Sequence, residues 1–382
     1  MPIGNSSTVG SVFVVGRLPT VTYNPRERLG LEPQLQEYLE DRGALLSVSG
    51  PTKTGKTTLL RSVAASGVWL SGGAVASKEE FWRAVGEGIY EESEEAAKQS
   101  VGTIRRDLVA SDRCLVVDDF HYIDQSIQLE IVRSLKDLVF DGLPAIVASV
   151  PHRAYDAVRV EKEMTGRVAH LSISPWDDED LLSIAKKGFA ALALVDQESR
   201  LAHRLSRESF SSPHLMQQFC KRLCRENGVS KTMDEPLVLA PPESWADFFS
   251  QSAADTSKAA FDLLAQGPRR RTDRLQRELK DGRTVDIYGA VLEAIAHTGP
   301  SLAIGYDQLR TSLREVLANE VPQRHEVTRV LDQMTKIAKE DIQGEPVVDY
   351  DEGLSTLHVS DPYFAFYLRW GQSGRVLPGQ KP

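Results

Sequence analysis

Five short apolar runs punctuate the first 175 residues, at 44–49, 67–70, 114–117, 145–150 and 168–173. Each is aliphatic or β-branched and is bounded by Gly, Pro, Ser or Asp, as strands buried on both faces are. Stretches of helical period separate them, among them 78–89 and 127–140, and a helix over 32–42 precedes the first run. The alternation predicts an α/β fold with a parallel sheet covered by helices on both faces. The acidic segment Glu91-Glu92-Ser93-Glu94-Glu95 reads as a solvated helix face or loop.

After Pro175 the strands stop. Helical periodicity runs over 177–194, 197–209 and 213–227, with Asp177 and Asp178 where an N-cap and an acidic first turn belong. The stretch 228–242, with three prolines, reads as a linker or irregular crossover. A helix over 244–266 follows, then the break Gly267-Pro268-Arg269-Arg270-Arg271. Helices over 285–297, 306–319 and 325–341 lead into two strands, 346–350 and 354–358, around Asp351-Glu352-Gly353. Three helices and a terminal hairpin form a winged-helix pattern. An aromatic-rich helix over 361–370 and a frayed tail close the chain, and no internal repeat is visible.

One segment gives the α/β part its chemistry. Gly50-Pro51-Thr52-Lys53-Thr54-Gly55-Lys56-Thr57 is G-x-x-x-x-G-K-T, set between the first strand and a helix that begins near Thr58. Its glycines let the backbone curl so that N–H groups converge on phosphate oxygens, and the helix N-terminus adds partial positive charge. Residues 50–58 are the expected nucleotide-binding set: Lys56 would reach the β- and γ-phosphates of ATP, and the Thr57 hydroxyl would ligate Mg²⁺. The strand 115–117 ends in Asp118 and Asp119, ~60 residues after the loop. Asp118 is placed to hold the Mg²⁺ shell and Asp119 to orient or deprotonate the attacking water. The strand at 67–70 lies between the two motifs and points to P-loop ATPases with an extra central strand. Ser149, His152 and Arg153 fall at the tip of the fourth strand, where a γ-phosphate sensor would sit, and His121 faces the same edge.

Bulk composition narrows the classes. The 382 residues carry net charge −9, so no global basic field draws the chain to nucleic acid. No run of 18 apolar residues spans a membrane and no secretory signal opens the chain. Three cysteines suit a reducing cytoplasm, and Cys220 and Cys224, four apart, read as core residues of one helix face.

The order of GPTKTGKT, then LVVDDFHYID at 115–124, then the strand at 145–150 resembles the STAND branch of AAA+-related ATPases, as does GRVAHLSISPW at 166–176. Ser212-Pro213-His214-Leu215-Met216 resembles the lid motif G-x-P of that group, with Ser212 in place of the Gly-containing turn. HVSDPYFAFYLRW at 358–370 resembles the ending that follows the winged helix in archaeal-type members. The resemblance implies an ATPase core at 1–176, a helical lid at 177–235, a helical linker with a basic run at 236–283, a winged-helix domain at 284–371 and a tail at 372–382. It implies a nucleotide-dependent switch of low turnover, working with a protein partner or as a homo-oligomer. It further implies nucleotide contact near Pro213, a β-phosphate contact from His358, and an arginine finger near Arg159 or Arg167. Two alternatives stand beside it. A DNA loader would use the basic run 269–283 (Arg269, Arg270, Arg271, Arg274, Arg277, Lys280, Arg283) and Arg324, Arg329, Lys336 and Lys339 of the third winged-helix helix. A hydrolysis-deficient scaffold would bind ATP without turning it over, because Asp119 is shorter than the commoner Glu.

Overall fold

The computed structural model describes residues 7–90, 93–150, 167–253, 257–268, 274–299, 301–342 and 346–371. They fall into two compact units. One is Tyr23–Trp176; the other joins the segment before Tyr23 to everything from Asp177 onward.

In the first unit the apolar runs become β1 (Leu45–Ser49), β2 (Val68–Ser71), β3 (Leu115–Asp118), β4 (Ala145–Ser149) and β5 (Val168–Ser172). All pair in parallel, in the order β2–β3–β4–β1–β5. Successive side chains alternate between faces, so each strand feeds two cores. Leu115 and Val117 join Leu70, Phe81 and Ile131 in one cluster, whereas Val116, Ile146 and Val48 join Leu35 and Leu60 in the other. The sequence-based expectation of an extra central strand holds. The strand at 67–70 is the edge strand β2; the strand inserted between β1 and β3 is β4. Register decides this: β4 pairs Val147 with Ser47 on one side and with Val117 on the other.

The second unit is built on helices Asp178–Ala191, Arg200–Arg207, Pro213–Glu226, Trp245–Ala253 and Lys258–Gln266. Their starts are encoded locally. Asp177 accepts from the Asp180 N–H at 2.9 Å, and the Ser212 hydroxyl accepts from Leu215 N–H ahead of Pro213 at the first helical position. The helix expected over 197–209 starts later, at Arg200, because Glu198 and Ser199 take left-handed backbone (φ 54° each). The helix expected over 244–266 is two helices. Two-residue strands β6 (Leu194–Val195) and β7 (Leu237–Val238) pair in parallel, so the proline-rich stretch contributes to a sheet. A second small pair, β8 (Arg277–Glu278) and β9 (Thr284–Val285), is antiparallel. The described residues before Tyr23 pack here: the Val9 N–H donates to Ser230 O at 3.0 Å, and Phe13 meets Phe189 edge-on at 5.6 Å.

Beyond β9, helices Ile287–His297, Tyr306–Val316 and Arg324–Glu340 surround a three-stranded sheet. Its strands are β10 (Ala303–Gly305), β11 (Val348–Asp351) and β12 (Thr356–Val359), in the order β10–β12–β11. The hairpin β11–β12 was legible in the sequence; β10, three residues long between two helices, was not. The terminal helix Pro362–Trp370 is apolar on nearly every face and is buried accordingly, with Phe366 packed on Phe219 at 5.0 Å. The three cysteines are buried, and burial pushes the Cys114 and Cys224 thiols up to about 12, out of the reactive range. Among the described residues no helix is long and apolar enough to cross a membrane.

Candidate phosphate and metal site

The loop Gly50–Gly55 leaves β1 and enters the helix Lys56–Val63. Its curl is made at two positions, Lys53 (φ 60°) and Gly55 (φ 90°). Gly50 is glycine for a different reason: a Cβ there would stand 2.9 Å from the Ile173 carbonyl oxygen and 3.0 Å from its Cβ. Ile173 approaches because its N–H donates to Ser49 O at 2.7 Å, extending the β1–β5 ladder. Within the loop the Thr54 hydroxyl donates to Pro51 O at 2.7 Å.

Lys56 is buried, and its ammonium donates to the carbonyls of Gly50 (2.9 Å) and Pro51 (3.0 Å). The charge therefore lies inside the curl of the loop. The helix that Lys56 opens has no side-chain cap, unlike those capped by Ser100, Asp124 or Asp286. Its first N–H groups remain directed at whatever anion the loop receives.

Thr57 and Asp118 are 61 residues apart in sequence, yet the Thr57 hydroxyl donates to Asp118 Oδ2 at 2.6 Å. Asp118 Oδ1 accepts from the Asp119 N–H at 3.1 Å. A hydroxyl and a carboxylate meeting beside a phosphate loop are the two protein oxygens a hard cation such as Mg²⁺ takes from this kind of site, so the residues fit the metal. Thr58 follows half-buried on the same helix.

Asp119 takes left-handed backbone (φ 53°), uncommon for a non-glycine residue. Gly72 explains how it is held. A Cβ on Gly72 would overlap the Asp119 carbonyl oxygen and stand 2.9 Å from its carbonyl carbon. Gly72, at the end of the edge strand, thus cradles the turn that presents Asp119, a relation sequence reading missed because the two are far apart in the chain. Gly72→Ala is expected to displace this turn. It should lower ATP hydrolysis at saturation by tenfold or more, since a displacement of about 1 Å can cost ~10²-fold. ADP affinity should stay within twofold of wild type, because the phosphate loop is untouched; equal turnover in both proteins would count against the role given to Gly72.

The sensor candidates separate. Ser149 stands beside the loop: its carbonyl accepts from the Gly50 N–H at 3.3 Å, and its hydroxyl is buried without a partner among the described residues. His152, Arg153 and Arg159 lie outside the described residues. Arg167 is exposed, with its guanidinium 5.3 Å from the Phe140 ring centre, at the start of β5 rather than at a strand tip. His121 is buried against Tyr122, ring centres 4.5 Å apart. Pro213 and His358 belong to the second unit, where Pro213 opens a helix and His358 pairs with Asp349 across β11–β12.

The basic run changes meaning. Arg269, Arg270 and Arg271 lie outside the described residues. Arg274 is paired with Asp286 at 2.6 Å, donates to the carbonyls of Gln266 and Pro268, and lies over the Tyr288 ring. Arg277 faces Glu326 at 3.6 Å, Arg283 bridges Asp281 and Glu293, and Lys280 donates to Arg314 O. Of the third-helix cations, Lys339 is bound to Asp349 at 2.7 Å, Lys336 faces Glu340, and Arg324 lies over Tyr306 and donates to Ser355. Each described cation of the run thus has an acid or a carbonyl partner; Arg274 and Arg277 are largely covered, whereas Lys280 and Arg283 stay exposed. The turn between β11 and β12, Asp351 to Ser355, is acidic and carries an exposed Leu354.

One further residue touches the loop, and a second holds that residue, from elements that the sequence reading did not assign to the site. The indole N–H of Trp176 donates to Thr54 O at 2.7 Å, and Arg26 lies over that indole at 5.2 Å. Trp176 ends the segment already marked as similar to a family, so a lone tryptophan just past a strand was the available signal.

No protein-family model matches the sequence, and no curated protein matches it. Solved structures do match in shape. The Aeropyrum pernix ORC2 protein, solved as ADPNP–ADP complexes, is 12% identical over 94% of this chain and 95% of that one, with a TM-score of 0.51. Cdc6p from Pyrobaculum aerophilum is 12% identical over 95% and 97% of the two chains, with a TM-score of 0.44. A Pyrococcus horikoshii STAND protein with a tetratricopeptide repeat sensor is 11% identical; the match covers 90% of this chain and 42% of that one, at a TM-score of 0.37. A five-stranded parallel sheet in the order β2–β3–β4–β1–β5, with the phosphate loop after its first strand and an acid at the tip of its third, is the AAA+ P-loop ATPase fold.

Proposed function

We propose that this chain binds ATP with Mg²⁺ and hydrolyses it slowly, as a molecular switch of the STAND/AAA+ type. The observation that carries the reading is the 2.6 Å contact between Thr57 and Asp118, which joins the loop helix to the acid of β3 beside a buried lysine. The ORC2 protein of the same fold was solved with ADPNP and ADP, which supports the choice of nucleotide. Thr57 and Asp118 would hold Mg²⁺, whose charge, when bound, offsets that of the phosphates. Lys56 would exchange its loop carbonyls for phosphate oxygens, and the uncapped helix start would supply N–H donors. Asp119, on its strained turn, would position and deprotonate water. Ser149 is the sensor candidate the geometry supports best.

The second unit is the proposed reader of the nucleotide state. Helix–β10–helix–helix–β11–β12, with sheet order β10–β12–β11, is the connectivity of a winged helix, here preceded by a helical lid. With Arg274, Arg277, Arg283 and Lys339 paired to acids and its wing acidic, this domain would suit a protein partner or a second copy of the chain better than DNA.

The test is phosphate release from radiolabelled ATP by wild type, Asp118→Asn and Asp119→Asn. Wild type is expected to turn over slowly and only with Mg²⁺. Asp119→Asn should be slower by about 10²-fold or more with ATP affinity retained, the contribution typical of a positioned base. Asp118→Asn should weaken the Mg²⁺ requirement and the rate together. Equal release by wild type and Asp119→Asn would remove the assignment of the base. Tight ATP binding without release by wild type would leave a nucleotide-binding scaffold.

A further inference from the structure

We infer that Trp176, seated by Arg26, is the positioning residue of the phosphate loop. The inference rests on the nucleotide-binding reading above and adds what aims the loop. Thr54 lies between the two left-handed positions Lys53 and Gly55, so its peptide plane is where the curl of the loop is least constrained by regular structure. The buried hydrogen bond from the Trp176 indole to Thr54 O, 2.7 Å long, holds that plane. A trans peptide is planar, with its C=O and N–H antiparallel. Pinning Thr54 O toward Trp176 therefore turns the Gly55 N–H the opposite way. Among the described residues that N–H donates to no protein acceptor, the condition expected of a phosphate donor.

The indole is held in turn. Trp176 is 8% exposed and Arg26 4%. Arg26 lies over the ring and donates to Ser174 O (2.9 Å), Ser174 Oγ (3.2 Å) and Pro175 O (2.8 Å), the residues that lead into Trp176. Arg26 itself takes left-handed backbone (φ 55°), and its N–H is bound to Asn24 Oδ1 at 3.0 Å. Arg26, buried and on left-handed backbone, thus holds the segment that carries Trp176 by its carbonyls and by the indole face. Trp176 is also the last residue of its unit and Arg26 the fourth.

The experiment uses the full chain carrying Trp176→Phe, which keeps a ring for Arg26 and removes the donor. Equilibrium binding of a fluorescent ADP analogue should weaken about fivefold, the worth of one net hydrogen bond. Amide exchange at Gly55 and Lys56 without nucleotide should quicken, while β1 amides exchange as in wild type, a local signature that general loosening would not produce. Lys56→Ala is measured alongside. If Lys56→Ala loses binding while Trp176→Phe binds and exchanges like wild type, the positioning role is overturned and the nucleotide site stands. If Lys56→Ala binds like wild type, the nucleotide reading itself falls. Should Trp176→Phe fail to fold, ¹⁵N-tryptophan-labelled wild type decides: the Trp176 indole N–H resonance should shift when ADP is added, and an unmoved resonance overturns the inference.

Discussion

Lys56→Ala is expected to abolish nucleotide binding in the micromolar range and to reduce ATP hydrolysis to background. Lys56 is 6% exposed, and its ammonium is already committed to two loop carbonyls, Gly50 O and Pro51 O. A buried cation satisfied by neutral carbonyls gains strongly when phosphate oxygens replace them, because charge-assisted hydrogen bonds contribute about 1.5–3 kcal/mol each. Losing two such bonds amounts to about 3–6 kcal/mol, or at least ~10²-fold in affinity. The alanine also strips the donor from the Gly50 and Pro51 carbonyls, so the empty loop should lose some order, but the sheet beneath it should not. Calorimetric titration with Mg-ATP and release of radiolabelled phosphate measure the two effects. Lys56→Arg should recover little, since a planar fork does not fit a cradle shaped for one compact ammonium. Turnover equal to wild type would end the assignment.

Glu208→Ala is expected to give the largest loss of stability in the second unit. Glu208 is 1% exposed and carries three contacts on one carboxylate. Arg369 Nε lies 2.9 Å from Oε2, the Trp370 indole donates to Oε2 at 2.8 Å, and Arg204 approaches Oε1 at 3.8 Å. The last two residues of the terminal helix thus grip the acid that follows the helix Arg200–Arg207, a physical reason for Arg-Trp at the end of that helix. Removing one partner of a buried pair typically costs about 3–5 kcal/mol, because the other charge stays behind without compensation. Arg369 keeps a bond to Gly299 O at 3.1 Å, which places the cost near the lower bound. For a unit of this size about 3 kcal/mol lowers the melting temperature by ~10 °C. Glu208→Gln keeps an oxygen for the Trp370 indole and should lose roughly half as much. Calorimetric melting of the three proteins checks the order; a shift under 2 °C for the alanine would show that the clasp is not stabilising.

Both predictions rest on residues whose legibility in the sequence differs, and the difference is physical. Lys56 was readable at once. G-x-x-x-x-G-K-T packs its chemistry into eight consecutive positions, and the strand before it and the helix after it are written in local period. Asp118 was readable for the same reason, as the polar end of an apolar run. The alternation of apolar runs with helical stretches likewise determined an α/β core, and the hairpin 348–359 followed from its turn.

Contacts between distant segments were decided only by the tertiary structure. That β4 is the strand between β1 and β3 was set by the fold, because parallel order depends on crossovers that no local pattern records. Gly50 and Gly72 are glycines because Ile173 and Asp119 come close to them. The acid partners of the basic run, Asp286 for Arg274, Glu326 for Arg277 and Glu293 for Arg283, were likewise set by the fold. Glu208 meets Arg369 across 161 positions, Arg26 meets Ser174 across 148, and Trp176 meets Thr54 across 122. Period, capping and loop chemistry act over a few residues and are spelled out in the chain. The pairing of buried polar groups is set by which surfaces the sheet and helices bring together, and that belongs to the folded chain alone.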